Sequence, residues 1–400
     1  MSQTRYILAG CLIDGSGDTP RRNVYLAVQD GIISAIGPAT ALPSPDLAKV
    51  KDLSHCVIVP ALVDCSLTLS RSPSVDPAVR LAAAEAGLTE KAALWEQHVR
   101  YCHAHGVLGV ADGNDDPLDL TTQYRKRPEN ERLIDICSAG RICRSLEEFE
   151  TVTARGCDYL KIGYSDDIED GGGANPQLNY DDLCQIIRRR KGKKAVVGAN
   201  GRERVAEALR AGCDAIEQGY AIGEENLKTM AENKVLWIPG VLRAKNSVDG
   251  SGSGGDVACR FSQRYVAPGK GNPGAETYWK KTLAEQLTQL HLARSLGVTT
   301  AVGTGAGGIG ILHGEAMVEE MKLFIKAGYS LPETIRCATA IGATFFGFER
   351  LGELAVGRRP TFLITRGTAQ QLPRKLSFLE GIYGEKYSSA EFVVAEPLAK

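Results

Sequence analysis

From Asp64 onward the sequence alternates short apolar runs with stretches of helical spacing, and it does so eight times. The apolar runs are 61–69, VLGVAD (107–112), RLIDICSAG (132–140), YLKIGYS (159–165), KAVVGAN (194–200), CDAIEQG (213–219), VLWIPGV (235–241) and TTAVGTG (299–305). Strands buried on both faces read as continuous apolar runs, and successive parallel strands need a crossover, usually a helix. Eight such units predict an α/β chain with a closed parallel (β/α)8 TIM barrel, not an open sheet. A barrel takes roughly 250 residues, so a chain of 400 leaves room for an accessory module.

That module is predicted at the two ends. Residues 6–60 read as β structure: YILAGCLIDG runs into an Asp14-Gly15 turn, and VYLAVQDGIISAIG is two runs split by Asp30-Gly31. Asp-Gly between apolar runs is a strong hairpin signal. A sheet this small does not stand alone, and the tail 351–365, LGELAVGRRPTFLIT, returns to strand patterning after two amphipathic helical segments. The expected division is a small β-sandwich from 1–60 plus 351–400, and a barrel from 61–350.

Composition narrows the class. Hydrophobic residues at 43% and charged residues at 24% suit a globular chain. A formal net charge of −1 gives no general attraction to nucleic acid or anionic membrane. The basic run Arg188–Arg190, Lys191, Lys193 and Lys194 follows a helical pattern and reads as a solvated helix end. Eleven cysteines are scattered from Cys11 to Cys337 with no CxxC pair, as expected of reduced thiols in a cytoplasmic protein.

The stretch Val57–Ser70, VIVPALVDCSLTLS, carries a family resemblance. It resembles the first barrel strand of the amidohydrolase superfamily, where Pro-Gly-Leu-Ile-Asp leads into a His-X-His metal pair. Pro60, Leu62, Val63 and Asp64 fit that pattern, as do Arg336-Cys337-Ala338-Thr339 and Gly352-Glu353-Leu354 in the tail. The likeness runs from about Tyr6 to about Thr365 and is nearest to the imidazolonepropionase- and prolidase-like branch. It implies a site with one or two divalent metals, which lower the pKa of water and polarise the scissile carbonyl. The family's ligands are His-X-His from strand one, a lysine (often carbamylated) from strand four, a histidine from each of strands five and six, and an aspartate from strand eight.

Transferred position by position, those ligands fall on Ser66, Thr68, Lys161, Gly198, Gln218 and Gly305. The flanking residues stay familiar: Leu160-Lys161-Ile162, Ile216-Glu217-Gln218-Gly219 and Gly303-Thr304-Gly305-Ala306-Gly307. Zinc needs at least three good N, O or S ligands, and its binding in structural sites is worth roughly 10–16 kcal/mol. One lysine among Ser, Thr, Gln and Gly cannot supply that, so no metal and no cofactor are expected. If the frame is otherwise intact, histidine at 66, 68, 198 and 218 with aspartate at 305 should rebuild metal binding.

Lys161 and His313 remain as catalytic candidates, Lys161 as a base or Schiff-base amine, against the reading of a relic paired with a carboxylate such as Glu217 or Asp64, and His313 in the rim loop GGIGILHGEAM. His98, Cys102 and His105 share a helical face that reads as structural, and His291 lies in a helical run. Cys65 is expected to pack. Two Gly-rich rim loops, 166–179 and 245–273, follow barrel strands at the face where active sites form. The first expectation is an amidohydrolase-like homologue without metal-dependent C–N bond hydrolysis that binds a ligand or partner. The alternatives are a metal-free hydrolase or lyase using Lys161, Tyr164, Asp166 or His313, and a cyclic amide or peptide-like hydrolase with an unrecognised site. Expected partners are a small molecule in the barrel mouth and a second copy of the chain, not nucleic acid or membrane.

Overall fold

The computed structural model describes residues 4–43, 50–113, 120–128, 131–165, 178–251 and 273–384. The N-terminal strands are β1 (Arg5–Leu12), β2 (Arg21–Gln29), β3 (Ile32–Pro38) and β4 (Val50–Pro60). The Asp-Gly hairpin forms where expected: β2 and β3 pair antiparallel, and Asp30 and Gly31 turn between them at φ 53° and 75°. Both central residues at positive φ make the turn whose twist matches its flanking strands.

The barrel strands are β5 (Leu62–Leu67), β6 (Val107–Asp112), β7 (Asp135–Ser138), β8 (Ile142–Cys143), β9 (Leu160–Gly163), β10 (Ala195–Ala199), β11 (Ala215–Gln218) and β12 (Leu236–Ile238). They pair in parallel as β5-β6-β7 and β12-β11-β10-β9-β8. The predicted third strand, 132–140, forms only over β7. The chain turns at Gly140, φ 72°, into the two residues of β8 beyond its predicted end, so that β7 pairs with β6 and β8 pairs with β9.

The predicted eighth strand joins the two sheets without forming a regular strand. Trp237 N–H donates to Thr299 O at 2.9 Å, and Ala301 N–H donates to Trp237 O at 2.9 Å. On the other side Cys65 N–H reaches Val302 O at 2.9 Å and Gly305 N–H reaches Ser66 O at 2.7 Å. Buried Asp64 reinforces this seam by accepting from Thr304 N at 2.9 Å and Thr304 Oγ1 at 2.5 Å. The fold is therefore the TIM barrel expected.

Inside the barrel, Val63, Cys65, Ala111, Cys137, Tyr159, Val196, Ala215, Leu236, Ile238 and Ala301 form one buried cluster that extends onto Ala343 and Phe348. The helix Ala340–Phe346 supplies part of that plug. With the interior filled at this level, the opposite end of the strands is left to make a cavity.

β13 (Phe362–Arg366) and β14 (Gly381–Tyr383) return to the N-terminal strands. One six-stranded sheet results, in the order β14-β13-β4-β1-β2-β3, with Phe362 to Arg366 paired antiparallel to Pro60 to Cys56. β4 runs directly into β5 through Ala61, so this sheet also sets where the first barrel strand begins.

Candidate functional site

Ser66, Thr68, Lys161, Gly198, Gln218 and Gly305 line one cavity, together with Leu67, Ser165, Glu217 and the arginines 71, 144 and 243. The space between its walls, counted to the open mouth, is about 700 Å3. The six positions transferred from the family resemblance thus meet, although they come from five separate segments of chain. Asp166 and most of the two Gly-rich rim loops, 166–177 and 252–272, lie outside the described residues; residues 245–251 of the second belong to the helix Val241–Ser251.

At the centre of the cavity is a polar cluster. Lys161 Nζ lies 2.9 Å from Glu217 Oε2 and 3.0 Å from Oε1, and Ser66 Oγ donates to Oε1 at 2.5 Å. Both side chains of the ion pair are nearly buried, at 12% and 10% exposure, so water screens the attraction little. Gly113 makes room for the lysine, since a Cβ there would stand 2.5 Å from Nζ.

Gln218 is held differently. Its Oε1 accepts from Asn200 Nδ2 at 2.8 Å, its backbone carbonyl accepts from Trp237 Nε1 and Gln286 Nε2, and its φ is 68°. A left-handed conformation is unusual for a residue other than glycine, and here three neighbours hold it. Asn200 Oδ1 in turn accepts from Tyr220 N at 2.9 Å.

A divalent metal does not fit these donors. The Lys161 amine is committed to Glu217, the Gln218 carbonyl oxygen to Asn200, and the two glycines offer no side chain. Among the described residues no three His, Cys, Asp or Glu side chains are grouped to hold a metal ion. Rebuilding the ligand set meets different conditions at different positions. At Gly198 an added Cβ meets only Ile162 O at 3.6 Å, so a side chain fits. At Gly305, φ is 69° and a Cβ would lie 2.9 Å from Arg243 Nε. An aspartate at 305 would face both backbone strain and a guanidinium, so the expectation of an intact frame does not hold there.

His313 does not line the cavity. It is buried, its Nε2 lies 2.9 Å from Thr68 O, and its ring stacks on His98 at 3.8 Å between centroids. Burial and the neighbouring His98 push its pKa well below the usual imidazole value, which keeps the ring neutral. The pair props the end of the first barrel strand: His98 Nδ1 is 2.7 Å from Leu69 O while His313 holds the preceding carbonyl. His105 Nδ1 lies against Tyr101 O and Cys102 is fully buried, and His291 Nδ1 lies 3.0 Å from Ala327 O.

The hydroxyl of Tyr164 donates to Glu207 Oε2 at 2.6 Å and accepts from Arg204, away from the cavity. Burial raises its pKa to about 12. Cys65 sits in the interior cluster, and burial lifts its thiol well above the ordinary value, as suits a packing residue. Asp64, fully buried, is raised to about 6 by desolvation against its hydrogen bonds from Thr304 and Ser66.

Sequence reasoning missed the three arginines. Arg71, Arg144 and Arg243 each lie just beyond the C-terminal end of a barrel strand, β5, β8 and β12 respectively. That position is itself the signal that could have found them.

Comparison with family profiles matches residues 187–392, just over half of the chain, to the amidohydrolase family. Comparison with curated protein sequences finds no match. Among solved structures, a Xaa-Pro dipeptidase with bound methionine in its active site is 20% identical at a TM-score of 0.75, covering 96% of this chain and 99% of that one. The ochratoxinase of A. niger is 16% identical at a TM-score of 0.76, covering 96% and 94%. Molinate hydrolase is 15% identical at a TM-score of 0.71, covering 100% and 98%. Among the described residues no helix is long and apolar enough to cross a membrane.

Proposed function

Since the chain belongs to the amidohydrolase family, whose solved relatives include hydrolases, we propose that it is a homologue without metal-dependent C–N bond hydrolysis that uses the barrel mouth to bind a ligand. One observation carries this reading. The only side chain at the six positions with metal-site chemistry, Lys161, is tied to Glu217, and Glu217 is also the acceptor for Ser66. The nitrogen that would have to be carbamylated to serve as a metal ligand is engaged by both Glu217 oxygens, at 2.9 and 3.0 Å. The carboxylate that could have served as a base is occupied by the same contact.

A metal-free reaction through Lys161 is the second reading, supported by the nearness of an amine, a carboxylate and a hydroxyl in one cavity. It requires the Lys161 nitrogen to leave both Glu217 oxygens, which it contacts at 2.9 and 3.0 Å, before it can reach a substrate.

Elemental analysis of the purified full-length protein tests the main reading. Well under one equivalent of zinc, manganese, iron or nickel is expected, with no rise in melting temperature on adding any of them. A metal bound only by the folded state at a hundred times its dissociation constant would add about 2.7 kcal/mol, a visible shift. Xaa-Pro dipeptides, the class named by one of the structural relatives, should stay intact over hours. Stoichiometric metal at the mouth with peptide cleavage would reinstate the hydrolase.

A further inference from the structure

Among the described residues the cavity wall holds four cationic side chains, Arg71, Arg144, Lys161 and Arg243, and one carboxylate, Glu217. That carboxylate is already shared between Lys161 and Ser66, so it does little to offset the arginines. Among the described residues the guanidiniums of Arg71 and Arg144 make no ion pair and no hydrogen bond, in a chain whose formal net charge is only −1. Concentrating positive charge in one concave site creates a local field the whole molecule lacks.

The backbone gives way to these side chains. An added Cβ would stand 2.9 Å from Arg243 Nε at Gly305, 3.2 Å from Arg144 Cγ at Gly163 and 3.1 Å from Arg71 Cβ at Gly307. Arg243 sits in the first turn of the helix Val241–Ser251, whose start is pinned by buried Glu320, accepting from Val241 N at 2.8 Å and Leu242 N at 2.6 Å. The guanidinium is thus carried on a fixed support and lies where the family resemblance would place an aspartate. Replacing a carboxylate by a guanidinium inverts the charge preferred at that point of the mouth.

We propose that this mouth binds a small oxyanion, a phosphate or carboxylate group of a metabolite, gripped by Arg144 and Arg243 with Arg71 at the rim. The planar fork of each guanidinium suits two-point contact with such a group. Ser165 and Thr68 line the same wall and add neutral hydroxyls. The inference rests on the non-hydrolytic reading above and names the ligand class for that site.

The test is a calorimetric titration of the full-length protein with inorganic phosphate and, separately, with succinate, at constant ionic strength and with and without EDTA. Saturable binding of at least one of the two anions is expected, and which one binds identifies the group recognised. Arg144→Gln and Arg243→Gln should each weaken it by about ten- to a hundred-fold, the usual effect of losing a charge-assisted hydrogen bond. Arg155→Gln, an exposed change on the helix Leu146–Arg155, should leave it unaltered. If Arg243→Gln does not fold, Arg144→Gln decides. No saturable binding in metal-free protein, or equal affinity in a folded Arg144→Gln variant, overturns this inference and leaves the loss of hydrolysis standing. Binding that vanishes with EDTA belongs to a bound metal and overturns both.

Discussion

Lys161, Glu217 and Ser66 are the residues on which the functional reading turns. A nearly buried ion pair contributes little net stability when intact, because desolvation offsets most of the attraction, yet removing one partner strands the other. Lys161→Met and Glu217→Gln should therefore each lower stability by about 3 kcal/mol. The double variant should cost less than the sum of the two by about 1–3 kcal/mol, since neither charge is then left alone. Urea unfolding of the four proteins measures this coupling. Single variants that unfold with the wild type would mean that solvent, not the partner, satisfies each group.

At the scale of elements, the segment 299–306 is the informative one. It closes the barrel through hydrogen bonds to β12 and β5 instead of a regular ladder, and Gly305 turns there at φ 69° against Arg243. Gly305→Asp should lower stability by about 1–3 kcal/mol through backbone strain and displacement of the arginine. Gly198→His, on the regular strand β10 with open space before it, should change stability by less than about 1 kcal/mol. Thermal unfolding of the two variants side by side checks the contrast. Equal tolerance at both sites would show that the eighth segment adapts more freely than its bonding suggests.

For the whole molecule, the ends of the chain are one structural unit. Phe362, Leu363 and Ile364 of β13 are buried against β4, and β4 leads straight into the first barrel strand. Burying three such side chains is worth about 1.5–3 kcal/mol each, comparable in sum to the 5–15 kcal/mol that holds a typical domain together. A chain truncated after Arg359 should lose cooperative thermal unfolding and go largely to the insoluble fraction. A soluble truncated protein melting within a few degrees of the full length would separate the barrel's stability from that sheet.

What the sequence alone determined is what depends on local chemistry. Alternation of apolar runs and helical spacing specified the strands, Asp30-Gly31 specified the hairpin, and the side chains at 66, 68, 161, 198, 218 and 305 declared their donors whatever surrounded them. Periodicity tells which face a residue takes, but not what that face meets. Only barrel closure brought Arg71, Arg144 and Arg243, which lie up to 172 positions apart in sequence, onto one wall, and turned Tyr164 toward Glu207 and away from the cavity. It likewise buried His313 under His98, where loop position had suggested ligand contact. These are long-range juxtapositions, set by strand register and by the turn at Gly140, and no short window of sequence encodes them.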